Sequence, residues 1–290
     1  MTRTFIDTIK RNLKIQRLRI KKPEYIELVK DNASFLNIHK GERCFILGNG
    51  PSIKSVDFSQ LEKEYVFTVN QMPRNPQFEN LKTNYHVWAD ERFFHIDKEK
   101  PEDMELLEVM KSVNTKESSP VVFYKSSALP MVKQFGLADE LNVRFYNEIY
   151  INNIREALDA GIDLTKALPS FSTVIQYAIC IAIYMGFEHI YLLGCDCTGF
   201  ISTAQQKMNA AEKSLYAYDI SDNEKKRMEK SMINYSIKNE LKWYVDLFDT
   251  YEIIGKYAVD NGIEIYNAGM GGLLDCYPRK NLDAILREKV

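Results

Sequence analysis

Five groups of polar residues stand beside apolar runs, and their types suit the binding of a phosphorylated ligand. Asn49-Gly50-Pro51-Ser52 follows the run at 44–47, Asn70-Gln71 follows 65–69, and Asp90-Glu91-Arg92 follows 85–89. Ser172 and Thr173 precede the run at 174–185, and Gly194-Cys195-Asp196 follows 189–193. Amides such as Asn49, Asn70 and Gln71 can meet a base edge, a ribose or a phosphate without adding charge. Hydroxyl residues ahead of a helix, Ser172 and Thr173, serve either as an anion cradle or as plain N-caps. Asp90 can orient a sugar hydroxyl or act as a base. Arg92 can neutralise a phosphate or pair with Asp90 or Glu91.

These side chains share a site only if the runs before them are parallel strands. A continuous apolar run that ends in a glycine turn reads as a buried parallel strand. Gly48 and Gly50 permit positive φ and a close backbone approach. Pro51 suits the first position of a helix, and Ser52 either caps it or offers its hydroxyl and amide to an anion. In open α/β sheets such strand ends bind nucleotides. The fold expected is α/β, doubly wound and Rossmann-like, with a mostly parallel sheet. The helix over 174–185 is apolar nearly all round and so buried, with Gly186 as its C-cap. His189 begins its strand, the wrong end for this crevice, and reads as structural. The mixed stretch 142–168, with Tyr146, Tyr150, Asn152 and Asn153, suits an acceptor-side loop. The long polar stretch at about 199–240 suits a helical lid, inside which Tyr216-Ala217-Tyr218-Asp219 stands out.

Two segments are expected: a basic helical one over 1–40 and an α/β domain over 41–290. The formal charge of −2 argues against a generic polyanion binder such as a nucleic-acid protein. Residues 1–22 nevertheless carry eight Lys/Arg against one acid, which leaves about −9 on the remainder. This segment could lie on an anionic membrane surface, pack on a partner subunit, or be a solvated helix. Five scattered cysteines suggest a reducing, cytoplasmic setting, and Cys195-x-Cys197 lacks the second pair of a zinc site. No secretory leader and no run of 18 apolar residues is present, so the location expected is cytoplasmic or peripheral on the inner membrane face. The apolar faces also allow a homo-oligomer.

GNGPS after a strand, NQ after the next, a Ser-led S-x-V helix and a strand ending in G-x-D together resemble bacterial sialyltransferases of glycosyltransferase family 42. They are also similar to a wider set related to the archaeal 6-hydroxymethylpterin pyrophosphokinase. The likeness spans about 41–275. It implies a variant of the GT-A fold in which Asn49, Gly50 and Ser52, with Pro51 in the same motif, lie near the donor phosphate and ribose. Asn70 and Gln71 would line the donor sugar and nucleotide, and Ser172 and Thr173 would hold the donor. Gly194 and Asp196 match the G-x-D motif. Tyr216 would hydrogen-bond the leaving phosphate. Asp90 stands where the family has Asn, a departure that bears on the sugar. Thr198 replaces a family tyrosine, and no histidine occupies the general-base position, where carboxylates such as Asp246 or Asp249 stand without matching the motif.

The resemblance therefore implies an inverting glycosyltransferase moving a sugar, sialic or a related nonulosonic acid, from a nucleotide-activated donor, CMP-linked in the family, to a surface or lipid-linked glycan. Asp90, Tyr216 and Asp196 are its candidate catalytic residues. No D-x-D motif is present, so no metal cofactor is expected. Two alternatives remain. One is a pyrophosphokinase using ATP and Mg²⁺ on Asp90, Glu91 and Asp196. The other is a non-catalytic nucleotide-sugar-binding protein.

Overall fold

The computed structural model describes residues 2–208, 218–232 and 236–288. Two helices, α1 (Thr2–Lys21) and α2 (Pro23–Val29), precede β1 (Arg43–Leu47), β2 (Tyr65–Val69) and β3 (Tyr85–Trp88). Next come α3 (Pro101–Lys111), β4 (Val121–Lys125), α4 (Leu129–Gln134), α5 (Leu137–Glu140) and β5 (Asn142–Tyr146). A small sheet follows, β6 (Glu148–Ile149) with β7 (Leu168–Pro169), and α6 (Ile154–Asp159) lies between its strands. The chain then forms α7 (Val174–Met185), β8 (His189–Leu193), α8 (Gly199–Lys207), α9 (Asp222–Met232), α10 (Ile237–Asp260), β9 (Glu264–Asn267) and α11 (Leu282–Arg287).

The main sheet has seven strands in the order β5-β4-β3-β2-β1-β8-β9, and every neighbouring pair is parallel. The chain moves outward from β1 to β5, then returns to the other side of β1 for β8 and β9. The order thus reverses between β1 and β8, the switch point at which open sheets leave a crevice beyond their carboxyl ends. This is a Rossmann-like α/β arrangement.

Strand alternation assigns the two faces. Cys44 and Ile46 of β1, with Phe67, Val87 and Leu192, pack against α7 and α10. Phe45 and Leu47, with Val66, Tyr191 and Leu193, point the other way, onto Ile53, Phe58 and Ile285. Trp88, Val122 and Tyr124 continue that second face beneath α3 and α4. All twelve residues of α7 are buried, as its unbroken apolar run requires, and Gly186 closes it with φ +92. The helical segment expected over 1–40 does not run through to the first strand: α2 ends at Val29 and passes into a 3-10 turn over Lys30–Phe35. There Asn32 turns inward and donates to the carbonyls of Phe145 and Leu164. Among the described residues no helix is long and apolar enough to cross a membrane.

His86 lies wholly inside this sheet. Its Nδ1 meets Thr68 Oγ1 at 2.7 Å, while Nε2 is buried with no hydrogen-bond partner among the described residues. Burial disfavours the imidazolium and lowers the His86 pKa to about 3. The unfolded chain takes up this proton below about pH 6.5, so acid favours unfolding. Stability should be complete above about pH 6.5 and fall by about 1.4 kcal/mol per pH unit toward the folded-state value. Urea melts at pH 7 and pH 5 check this. His86→Asn should lose about 2 kcal/mol less than the wild type over that interval. Equal losses would assign the acid sensitivity elsewhere.

Candidate functional site

The turns after β1 and β8 interlock. Gly48 N donates to Leu193 O and Gly50 N to Gly194 O, both at 2.8 Å. A Cβ on Gly50 would lie 2.6 Å from Gly194 O and 2.6 Å from an Asp196 carboxylate oxygen. Gly48 and Gly50 are therefore needed for close approach. Positive φ, which the sequence also allowed them, falls instead on Gly194 at +64°.

Asp196 is buried and joins the two turns. Its carboxylate accepts from Ser52 N at 2.7 Å and from the Ser52 hydroxyl, and its carbonyl accepts from Leu273 N at 2.7 Å. Pro51 stands at the first position of a helical turn, as its fixed φ suggests, but the turn is a 3-10 segment of five residues, Pro51–Ser55. Ser52 does not cap it. Its hydroxyl is spent on Asp196, and the glycine turn at Gly269 and Gly271 runs beside it.

A cleft of about 370 Å³ opens beyond these turns, at the switch point. Asn49, Gly50, Asn70, Gln71, Asp90, Thr173, Gly194 and Asp196 line it, whereas Pro51, Ser52 and Ser172 stand behind its wall. Tyr216 lies outside the described residues. Asn49 Nδ2 donates to Val69 O at 3.0 Å, and its Oδ1 is buried with no partner among the described residues. Asn70 adopts φ +44, which asparagine tolerates, and its Oδ1 accepts from Ala89 N. Gln71 is committed within the protein: its amide donates to Glu224 and accepts from Arg74.

Two helices begin at this cleft. Thr173, Val174 and Ile175 at the start of α7, and Thr198 and Gly199 at the start of α8, all line it. Gln176 Oε1 takes the amides of Ser172 and Thr173, and Gln176 N donates back to Thr173 O at 3.1 Å, which closes a capping box at the start of α7. Two helix N-termini give one cavity a positive potential suited to an anion.

The charged residues are paired. Arg92 grips Asp90 through Nε at 3.0 Å and Nη2 at 2.5 Å. Burial opposes the charge of Asp90, but the hydrogen bonds and charge of Arg92, with Arg227 behind it, hold the pKa below the ordinary carboxylate range. Sequence reasoning missed Arg227 and Glu224, both on α9. Arg227 binds Glu224 at 2.8 and 2.9 Å and lies 4.8 Å from the centre of the Phe93 ring. Glu224 is buried against Gln71, and Glu105 receives Arg74, Ser221 and Asn223, so α9 is docked by a polar network. Trp243, Tyr244 and Tyr251 of α10, with Phe93 and Tyr218, give the cleft an aromatic part of its lining.

None of the four histidines lines the cleft, nor does Asp246 or Asp249, while Thr198 does. Asp90, Glu91 and Asp196, the metal ligands of the kinase alternative, each have separate partners: Arg92, Ser127 and Ser52. Among the described residues no group of three His, Cys, Asp or Glu is arranged to hold a metal. Burial raises the Cys195 and Cys197 thiols, the latter to about 12, which removes thiolate character at neutral pH.

No protein-family model matches the chain, and no curated protein matches it significantly.

Proposed function

We propose that the chain is a glycosyltransferase that uses a nucleotide-activated sugar, with the cleft between β1 and β8 as its donor site. The observation that carries this reading is the convergence of two helix N-termini on a switch-point cleft that aromatic side chains also line. The positive ends of α7 and α8 suit the donor phosphate, and the aromatic side chains of the lining suit a base. A buried acceptor without a partner costs about 1–3 kcal/mol, and a donor hydroxyl or base N–H at Asn49 Oδ1 would relieve it. The resemblance in the sequence points to a CMP-linked sialic or related nonulosonic acid as donor and a glycan as acceptor.

In this reading charge develops on the leaving phosphate as the glycosidic bond breaks. The helix termini, Arg92 and Arg227 stabilise that charge electrostatically. Asp90 takes the proton of the acceptor hydroxyl, which then attacks the anomeric carbon with inversion. The docked α9 acts as the lid over the bound donor.

A thermal-shift panel of nucleotides, with and without Mg²⁺, tests the proposal. A nucleotide at about 100 times its Kd stabilises by about 2.7 kcal/mol, a shift of several degrees. CMP or another sugar-carrier nucleotide should raise Tm without metal, and the matching sugar nucleotide should be slowly hydrolysed. A shift with ATP and Mg²⁺ alone would overturn the transferase reading in favour of the kinase. Tight CMP binding with no donor consumed would favour a binding protein.

A further inference from the structure

Helix α1 has two unlike faces, and among the described residues only one is packed against the fold. The inner face is anchored. Ile15 is buried against Ile149 and Ala167, and Leu18 packs beside them. Arg11 is buried and donates to the carbonyls of Ala160 and Gly161, at 3.1 and 3.0 Å, where α6 ends. Lys14 Nζ reaches Tyr150 O at 2.5 Å. The outer face carries Ile9, Leu13 and Ile20, which are 42%, 55% and 79% exposed. Their spacings of four and seven place them in one stripe. Arg17, Arg19, Lys21 and Lys22 are exposed around it.

We propose that this outer face docks the protein on an anionic lipid bilayer. Ile9, Leu13 and Ile20 enter the interface while the flanking cations meet the headgroups. Charge selects this occupant over a second copy of the chain. Residues 1–22 hold eight cations and one acid, so a two-fold contact through α1 would set like charges together. An anionic surface attracts this segment and repels the remainder, which carries about −9. The anchoring makes the docking directional. Beneath α1 lies the small sheet of β6 and β7, and β7 leads through Ser170 to the start of α7 at the cleft. If the transferase reading holds, docking keeps the cleft beside a lipid-linked acceptor; the docking itself does not depend on that reading.

Co-sedimentation of the full chain with vesicles tests it, with no nucleotide present. Vesicles of phosphatidylcholine with about one-third phosphatidylglycerol should retain the protein at low salt, and vesicles of phosphatidylcholine alone should bind at least about tenfold less. Raising salt to about 0.5 M should release most of it. Leu13→Glu should weaken binding about tenfold or more, and Arg17→Glu with Arg19→Glu should do likewise. These residues are exposed, so the Tm of each variant should match the wild type. Failure of the wild type to bind anionic vesicles at low salt would overturn the proposal, as would full retention of Leu13→Glu. A change in oligomeric mass on Leu13→Glu without vesicle binding would assign the face to a second copy.

Discussion

Asp90→Asn is expected to lower the transfer rate by about 10²–10⁴-fold while leaving donor affinity nearly unchanged. The substitution is almost isosteric. Its side-chain oxygen can still accept from Arg92 N, the 3.0 Å bond by which Asp90 caps the turn that follows β3. What it removes is the proton acceptor. Its charge partner, Arg92, has a side chain 63% exposed and can swing away when an anion enters, whereas Asp90 is anchored at its strand end. The pH profile separates this role from a structural one. Arg92 and Arg227 hold the Asp90 pKa below the ordinary carboxylate range against the effect of burial. The rate should therefore stay level through neutral pH and fall only in acid, with no limb near pH 6.5 of the kind a histidine base gives. A variant that retains wild-type turnover would show that Asp90 is not the base.

The second large effect is on stability. Asp196→Ala should destabilise the protein by about 3 kcal/mol, because it leaves the Ser52 N–H and hydroxyl without their shared carboxylate. For a chain of this size that is a fall in Tm of about 5 °C. Nucleotide affinity should fall with it, since the turn after β1 would lose its anchor on the turn after β8. Ser52→Ala removes one bond and should cost about 1 kcal/mol. In the double variant the two costs should be markedly less than additive, the mark of a direct interaction in a double-mutant cycle. Strict additivity would place the Asp196 effect elsewhere. Both carboxylate oxygens of Asp196 are spent on Ser52, an arrangement that suits a positioning role.

Much of the frame was legible because burial imposes composition. Strands covered on both faces must be apolar throughout, so β1, β2, β3 and β8 stand out as runs that stop at polar residues. The same rule delimits α7, apolar on every side and followed by Gly186. The rest was hidden for identifiable reasons. Arg227 and Glu224 sit in a Lys- and Glu-rich stretch that looks like any solvated helix surface. Only the fold brings them onto Gln71 and Phe93. Trp243 and Tyr244 read as one face of α10, and nothing local distinguishes a wall of the cleft from core. Gln71 and Ser52 were recognised by type and place, yet their hydrogen bonds turn out to be used inside the protein. Such competition between ligand and protein partners is invisible until the partners are known.

The bond between Ser52 and Asp196 joins residues 144 positions apart in the chain. It joins the turns that follow the neighbouring strands β1 and β8, so the site cannot form before both are in place. Long-range parallel pairing of this kind is slow, because the loop must close before any contact compensates for the lost chain entropy. During synthesis the first five strands emerge with one side of β1 uncovered, and that open edge invites wrong pairing until β8 arrives. Acquisition of ligand binding should accordingly be among the last events of folding. A bound nucleotide can then lock the finished protein but cannot guide the early chain.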